Sequence, residues 1–321
     1  MPVDFSSLGA KTSVFHQKTP QKVDITTMRP AVLNFELSVR PSPEEVAAVI
    51  PHLPSAPNVL PRLCSLLREE KISLQELSGM LRLDPGLTAR VLQAGNQLAA
   101  VRGLHCLSLE DAINQVGFNW IAAMVGKVAK AQVFSRPVSL YDLDAEELWR
   151  WSISCALAAE LLASHAGEDT STAYTVGLLH SAGIVAIDEW VMHNAPSISF
   201  MPRAVPCDFA ESERALLGCT QAEVGAALLR RWGLPANLVE PLRWQNSPYS
   251  SAGHSRMACV LSAAKWLRTV VCMDDEREVP PLPEAVVLLP LRLRPEQLAR
   301  FVVELRIRIG QVRNLVEAVA A

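Results

Sequence analysis

Thr220-Gln221-Ala222-Glu223-Val224-Gly225-Ala226-Ala227-Leu228-Leu229-Arg230-Arg231-Trp232-Gly233-Leu234-Pro235 carries a whole helix together with its start and stop. The Thr220 hydroxyl can accept from an unpaired backbone N–H of the first turn, and Glu223 can reach back to the Thr220 N–H, which is a capping box. Gly233 supplies the left-handed position that ends a helix, and Pro235 suits the start of the next. The same opening recurs at Ser42-Pro43-Glu44-Glu45, Ser73-Leu74-Gln75-Glu76 and Ser108-Leu109-Glu110-Asp111. Asp84-Pro85 adds an N-cap with proline at the first helical position, and Leu74, Leu77 and Leu81 share one face of a helix. The runs 145–164, 172–190 and 255–272 continue the pattern, and no stretch alternates as a strand does. An all-α multi-helix bundle is the fold these signals predict.

The chain has 321 residues, of which 50% are hydrophobic and 20% charged, enough apolar material for a sizeable core. Its 30 Lys+Arg against 33 Asp+Glu leave a net charge of -3, without the basic excess that tracks a phosphate backbone, so no nucleic-acid partner is expected. No apolar run approaches the roughly 20 residues of a membrane span. The opening residues also lack the basic start and apolar core of a signal peptide, so a cytoplasmic protein without a membrane partner is expected. Cys64, Cys106, Cys155, Cys207, Cys219, Cys259 and Cys272 form no CxxC pair, and reduced thiols are expected.

Residues 1–41 lack sustained periodicity and read as a flexible or extended arm. Residues 42–289 read as the helical domain, with Val279-Pro280-Pro281-Leu282-Pro283 as a linker towards its end. Residues 290–321 read as a C-terminal helix that packs on the domain. In that helix Leu298, Val302, Leu305, Ile309, Val312, Val316 and Val319 follow steps of four and three. The seam could pair two chains, but Phe301, Val303 and Ile307 widen it beyond a coiled-coil stripe, so docking within the chain and a monomer are favoured.

From Leu53 to Leu289 the chain resembles the HDOD family, the HD-related output domains of bacterial signalling proteins. The resemblance rests on Leu53-Pro54-Ser55-Ala56-Pro57, on Leu83-Asp84-Pro85-Gly86-Leu87-Thr88-Ala89-Arg90-Val91-Leu92 with Asn96, and on Ser108 through Gly117. It continues through Leu148-Trp149-Arg150, Gly177-Leu178-Leu179-His180, Glu223 to Leu229 and Trp232-Gly233-Leu234-Pro235. Catalytic HD relatives hydrolyse phosphate esters at metal ions held by His and Asp ligands. By this resemblance the His-Asp pair falls at His180-Ser181 and the upstream histidine at Trp151. A further histidine falls at Gln221, a histidine pair at Trp244-Gln245 and the later aspartate at Lys265. Indole cannot ligate a metal, a neutral amide is a weak ligand, and an ammonium repels a cation. Neither a metal nor any other cofactor is expected, and Trp151 and Trp244 are expected to plug the cleft beside His180.

No other constellation suggests catalysis. His165, His180 and His193 lack the HxxxH spacing, Glu146-Glu147 and Asp274-Asp275-Glu276 read as solvated charge, and no GxGxxG, P-loop or GxSxG is present. The expected function is that of a catalytically inactive signalling module acting on a protein partner. Its rivals are a small-molecule or nucleotide sensor using the degenerate cleft and a metal-dependent phosphohydrolase.

Overall fold

The computed structural model describes residues 40–56, 59–68, 72–131, 136–196, 209–273 and 279–317. The expected arm therefore lies outside the described residues except for Arg40 and Pro41, as do Cys207, Asp274, Asp275, Glu276 and Val319. The described chain is all-α, and the bridge between Val138 and Leu143 is an isolated one outside any strand.

The helices run in the order α1 (Pro43–Ala48), α2 (Leu60–Leu66), α3 (Leu74–Leu81), α4 (Pro85–Ala100), α5 (Leu109–Val116), α6 (Phe118–Ala131), α7 (Ala145–Ala166) and α8 (Thr170–Leu179). They continue with α9 (Ala182–Asn194), α10 (Ala210–Leu217), α11 (Gln221–Arg231), α12 (Ala236–Arg243), α13 (Ser255–Cys272), α14 (Ala285–Leu288) and α15 (Pro295–Glu317). Ser42, Ser73, Ser108 and Thr220 form both halves of their capping boxes, and Asp144 forms another with Glu147. Each box satisfies backbone donors that a helix leaves orphaned at its start.

Central to the bundle is α7, buried along most of its length and packed against α8, α13 and α15. On the far side α11 packs against α9, α1 and α12. The buried Asp84 carboxylate ties the entry segment to α4: Oδ1 accepts from Leu87 N at 2.9 Å, and Oδ2 accepts from Ala56 N at 2.9 Å and from the Ser55 hydroxyl. One acid thus caps a helix and anchors the chain that leads into the domain.

The run 172–190 is two helices rather than the single one its apolar pattern suggests. The chain breaks at His180-Ser181, where Ser181 adopts φ -101 and ψ 9. Close packing on both sides accounts for the break. A Cβ on Gly177 would lie 2.7 Å from Cys155 O in α7, and one on Gly183 would lie 1.9 Å from Gln221 O in α11. Each half is pressed backbone to backbone against a different neighbour, and a straight helix cannot meet both. The break leaves His180 at a corner where α7, α9, α11 and α13 converge.

Among the described residues no helix is long and apolar enough to cross a membrane.

Candidate functional site

His180 caps the C-terminus of α8 and is 1% exposed. Its Nδ1 lies 2.7 Å from Gly177 O, which can only accept, so Nδ1 carries the proton and Nε2 is the acceptor. The donor to Nε2 is the Arg268 guanidinium, with Nη1 at 2.9 Å. Burial, reinforced by the charges of Arg268 and Lys265, holds the His180 pKa well below its usual 6.5, so the imidazole is neutral.

Arg268 comes from α13 and is 2% exposed. Its guanidinium carbon lies 4.6 Å from the centre of the Trp151 ring, within reach of a cation–π contact, and Nη2 lies 3.4 Å from Thr269 Oγ1. Sequence reasoning missed this residue. The spacing carries no clear signal for it: Leu261, Lys265, Arg268 and Cys272 follow steps of four and three along α13, which only places the arginine on the same face as another charge.

Trp151, His180, Gln221 and Lys265, four of the positions singled out in the sequence, line a common cavity with Arg268, Glu213 and Asn246. Lys265 Nζ donates to Asn246 Oδ1. The Gln221 backbone N–H donates to Glu213 Oε2 at 2.7 Å, and Tyr141 Oη donates to Glu213 Oε1 at 2.9 Å. The Gln221 side-chain oxygen is buried without a hydrogen-bond partner. The cavity has a volume of about 20 Å³, room for one water.

The other expected positions go elsewhere. Ser181 turns to the opposite side of the corner, where its hydroxyl lies 3.1 Å from Ser152 Oγ and lines a separate space of about 30 Å³ with Leu53, Pro85 and Trp149. Gln245 is buried beside the corner, and its amide donates to His180 O at 3.2 Å and Leu242 O at 2.9 Å. The expectation that Trp244 plugs the cleft is corrected: it is half-buried, does not line the cavity, and donates from its indole N–H to Glu240 Oε2 at 3.0 Å. At the C-cap of α12 its ring lies along its own helix, where Glu240 is one turn back, and Gln245 points inwards instead.

This donor set does not fit the metal ion that catalytic HD proteins carry. The one imidazole already accepts from a guanidinium, a lysine ammonium lines the same space, and no group of three or more His, Cys, Asp or Glu among the described residues is arranged to hold a metal. A wider crevice of about 770 Å³ opens between the N-termini of α5, α8 and α13. Its carboxylates are engaged: Asp111 and Asp169 cap their own helices, and Glu168 pairs with Arg256 at 2.5 Å.

This all-helical corner, with a histidine at the break between two helices, is the architecture of an HD-like domain. The HDOD domain model matches residues 53–248, and the chain belongs to the HDOD family. The match ends before α13, so the helix bearing Lys265 and Arg268 lies outside it. A protein of Treponema pallidum described as uncharacterized is 21% identical over 306 residues, covering 94% of this chain and 58% of its own length. The chain thus spans little more than half of that relative. The MmoQ response regulator of Methylococcus capsulatus superposes with a TM-score of 0.60 at 20% identity, covering 79% of this chain and 99% of that one. A virulence factor of Campylobacter jejuni gives a TM-score of 0.56 at 19% identity, covering 70% and 82%. At these identities the likeness is one of fold.

Proposed function

We propose that the chain is a catalytically inactive HDOD module that works in signalling through contact with another protein. The observation that carries this reading is the Arg268 bond to His180 Nε2: the one retained ligand position is engaged by a fixed cation inside a space for a single water. Hydrolysis of a phosphate ester at this fold needs a metal to polarise phosphorus and activate water, and these side chains offer it neither ligands nor room. The same volume argues against a nucleotide sensor in this cleft, because ligand pockets measure about 300–1,000 Å³. A signalling role is further supported by the likeness to a response regulator.

Contact with a protein is supported by an apolar projection at the end of α4. Leu98, Val101 and Leu104 are 50%, 86% and 54% exposed. Their loop is nevertheless held firmly, because the buried Asn96 side chain accepts from Cys106 N at 2.9 Å and donates to Cys106 O at 3.2 Å. Rigid, exposed apolar groups bind with little ordering cost.

One preparation tests both parts. Purified protein supplied with Mn²⁺ or Mg²⁺ should neither retain stoichiometric metal nor cleave bis(p-nitrophenyl) phosphate or cyclic dinucleotides, and Ser181→Asp should not create activity. Turnover that His180→Ala abolishes would overturn the reading. Used as bait in its native cell extract, the protein should capture a partner that Val101→Asp fails to hold, and identical recovery by both would remove this loop from the interface.

A further inference from the structure

We infer that the Arg268 guanidinium is a permanent internal cation which holds His180, Trp151 and α13 together, so that the closed packing of this corner does not depend on a divalent metal. The inference rests on the inactive reading above and goes beyond it, because it assigns a positioning role to one residue outside the matched family region.

Three features of the geometry lead to this role. The guanidinium is planar and bonds in two ways at once. One of its N–H groups donates to a ring nitrogen at the α8–α9 corner, while its central carbon sits over the indole of α7, 4.6 Å from the ring centre. It therefore links three separate parts of the chain: α7, the α8–α9 corner and its own helix α13. Secondly, its hydrogen bonds go to a neutral imidazole and to a hydroxyl rather than to a carboxylate. A charge is expensive to bury when its own hydrogen bonds go only to neutral groups, even with the Glu213 carboxylate lining the same cavity. An apolar side chain of similar length would fill the same volume without that cost, so the charge itself has to serve the packing. Thirdly, the acceptors around it are of the kind a cation gathers. His180 Nε2 faces it, and the orphaned Gln221 Oε1, the Glu213 carboxylate and the Asn246 amide line the same small space.

Beside the Lys265 ammonium, which is bonded to Asn246, the Arg268 guanidinium is the cation that reaches His180 Nε2, and it does there what a bound ion would do for the fold. It is covalently part of α13, so it is always present and cannot be removed by a chelator. Proteins that bind a metal in the folded state gain stability with the logarithm of the free ion concentration, and this corner should show no such linkage.

The test uses the full chain. Thermal melting of the wild type should shift by no more than about 1 °C between EDTA and Mn²⁺. Arg268→Ala should melt about 5 °C lower. Millimolar methylguanidinium should restore at least half of that loss while leaving the wild type unchanged, whereas neutral methylurea should not. Equal rescue by both compounds would show that the residue only fills space, and a wild-type melt lowered by EDTA would show a metal at work; either result overturns the inference. Should Arg268→Ala fail to fold, Arg268→Lys and Arg268→Met decide. The lysine variant should be the more stable of the two, and a methionine variant as stable as the wild type would overturn the inference. These failures differ from failure of the inactive reading, which would show as metal-dependent turnover by the wild type.

Discussion

At the scale of single residues, two buried groups titrate in opposite senses. Burial pushes the Asp84 carboxyl up to about 6 from 3.8, against the hydrogen bonds from Ser55, Leu87, Ala56 and Gly86. Between these values the folded chain holds a proton that the unfolded chain has lost, so stability due to Asp84 is full below about pH 4 and is lost as pH rises to about 6. Burial and the two cations near it depress His180 from 6.5, so there the unfolded chain holds the extra proton. Stability due to His180 is full above about pH 6.5 and is lost as pH falls towards its folded value. In the shared window the two slopes oppose each other. Asp84→Asn should therefore make stability rise with pH more steeply than in the wild type, by about 1.4 kcal/mol per pH unit, in urea unfolding between about pH 4.5 and 6. His180→Asn should tilt the slope the other way, and unchanged slopes in both variants would refute the assignment. The sequence made His180 legible as a ligand position that had lost its partners. It did not make Arg268 legible, because one of three basic residues along α13 shows its partners only when α7 and the α8–α9 corner are brought against it.

Elements were most legible where local chemistry fixes them. The boxes at Ser42, Ser73, Ser108 and Thr220 form because a hydroxyl and an acid three residues apart need nothing beyond their own turn. The break at His180-Ser181 was not legible, since apolar periodicity runs through it and its cause lies in two distant contacts. One of those contacts can be tested. Gly183 lies against Gly225 and Gln221 where α9 crosses α11, and an alanine Cβ would sit 1.9 Å from a backbone oxygen that cannot rotate away. Gly183→Ala should force the helices apart and cost about 3 kcal/mol or more, at the upper end of overpacking penalties. The control is Gly79→Ala in α3, where a Cβ meets nothing within 4 Å and the better helix former should stabilise by about 0.5–1 kcal/mol. Equal melting of the two variants would mean that the crossing is looser than its backbone spacing implies.

For the whole molecule, the question is what α15 does for the bundle. Leu298, Phe301, Val302 and Leu305 are buried, and the helix packs on α7 and α13. Arg308 pairs with Glu160 of α7 at 3.3 Å and with Glu304 at 3.0 Å, while Glu160 also pairs with Arg82 at 2.6 Å. Further along, Leu315 O accepts from Arg62 of α2, so one helix touches elements from both ends of the chain. The ion pairs are partly exposed and contribute little one by one. Burial of the four large apolar side chains carries the docking, at roughly 1.5–3 kcal/mol each relative to exposure. The expected seam packs inwards along its described length: Leu298, Val302 and Leu305 are buried and Ile309, Val312 and Val316 pack partly buried against the core, whereas Val303 and Ile307 lie outside it, 45% and 58% exposed. A stripe that packs inwards in this way serves contacts within the chain. Deleting residues 295–321 should therefore expose α7 and α13, lower the melting temperature and leave the protein monomeric before aggregation sets in. If light scattering instead shows a dimer becoming a stable monomer upon deletion, the exposed Val303 and Ile307 face is the contact between chains and α15 is an assembly element.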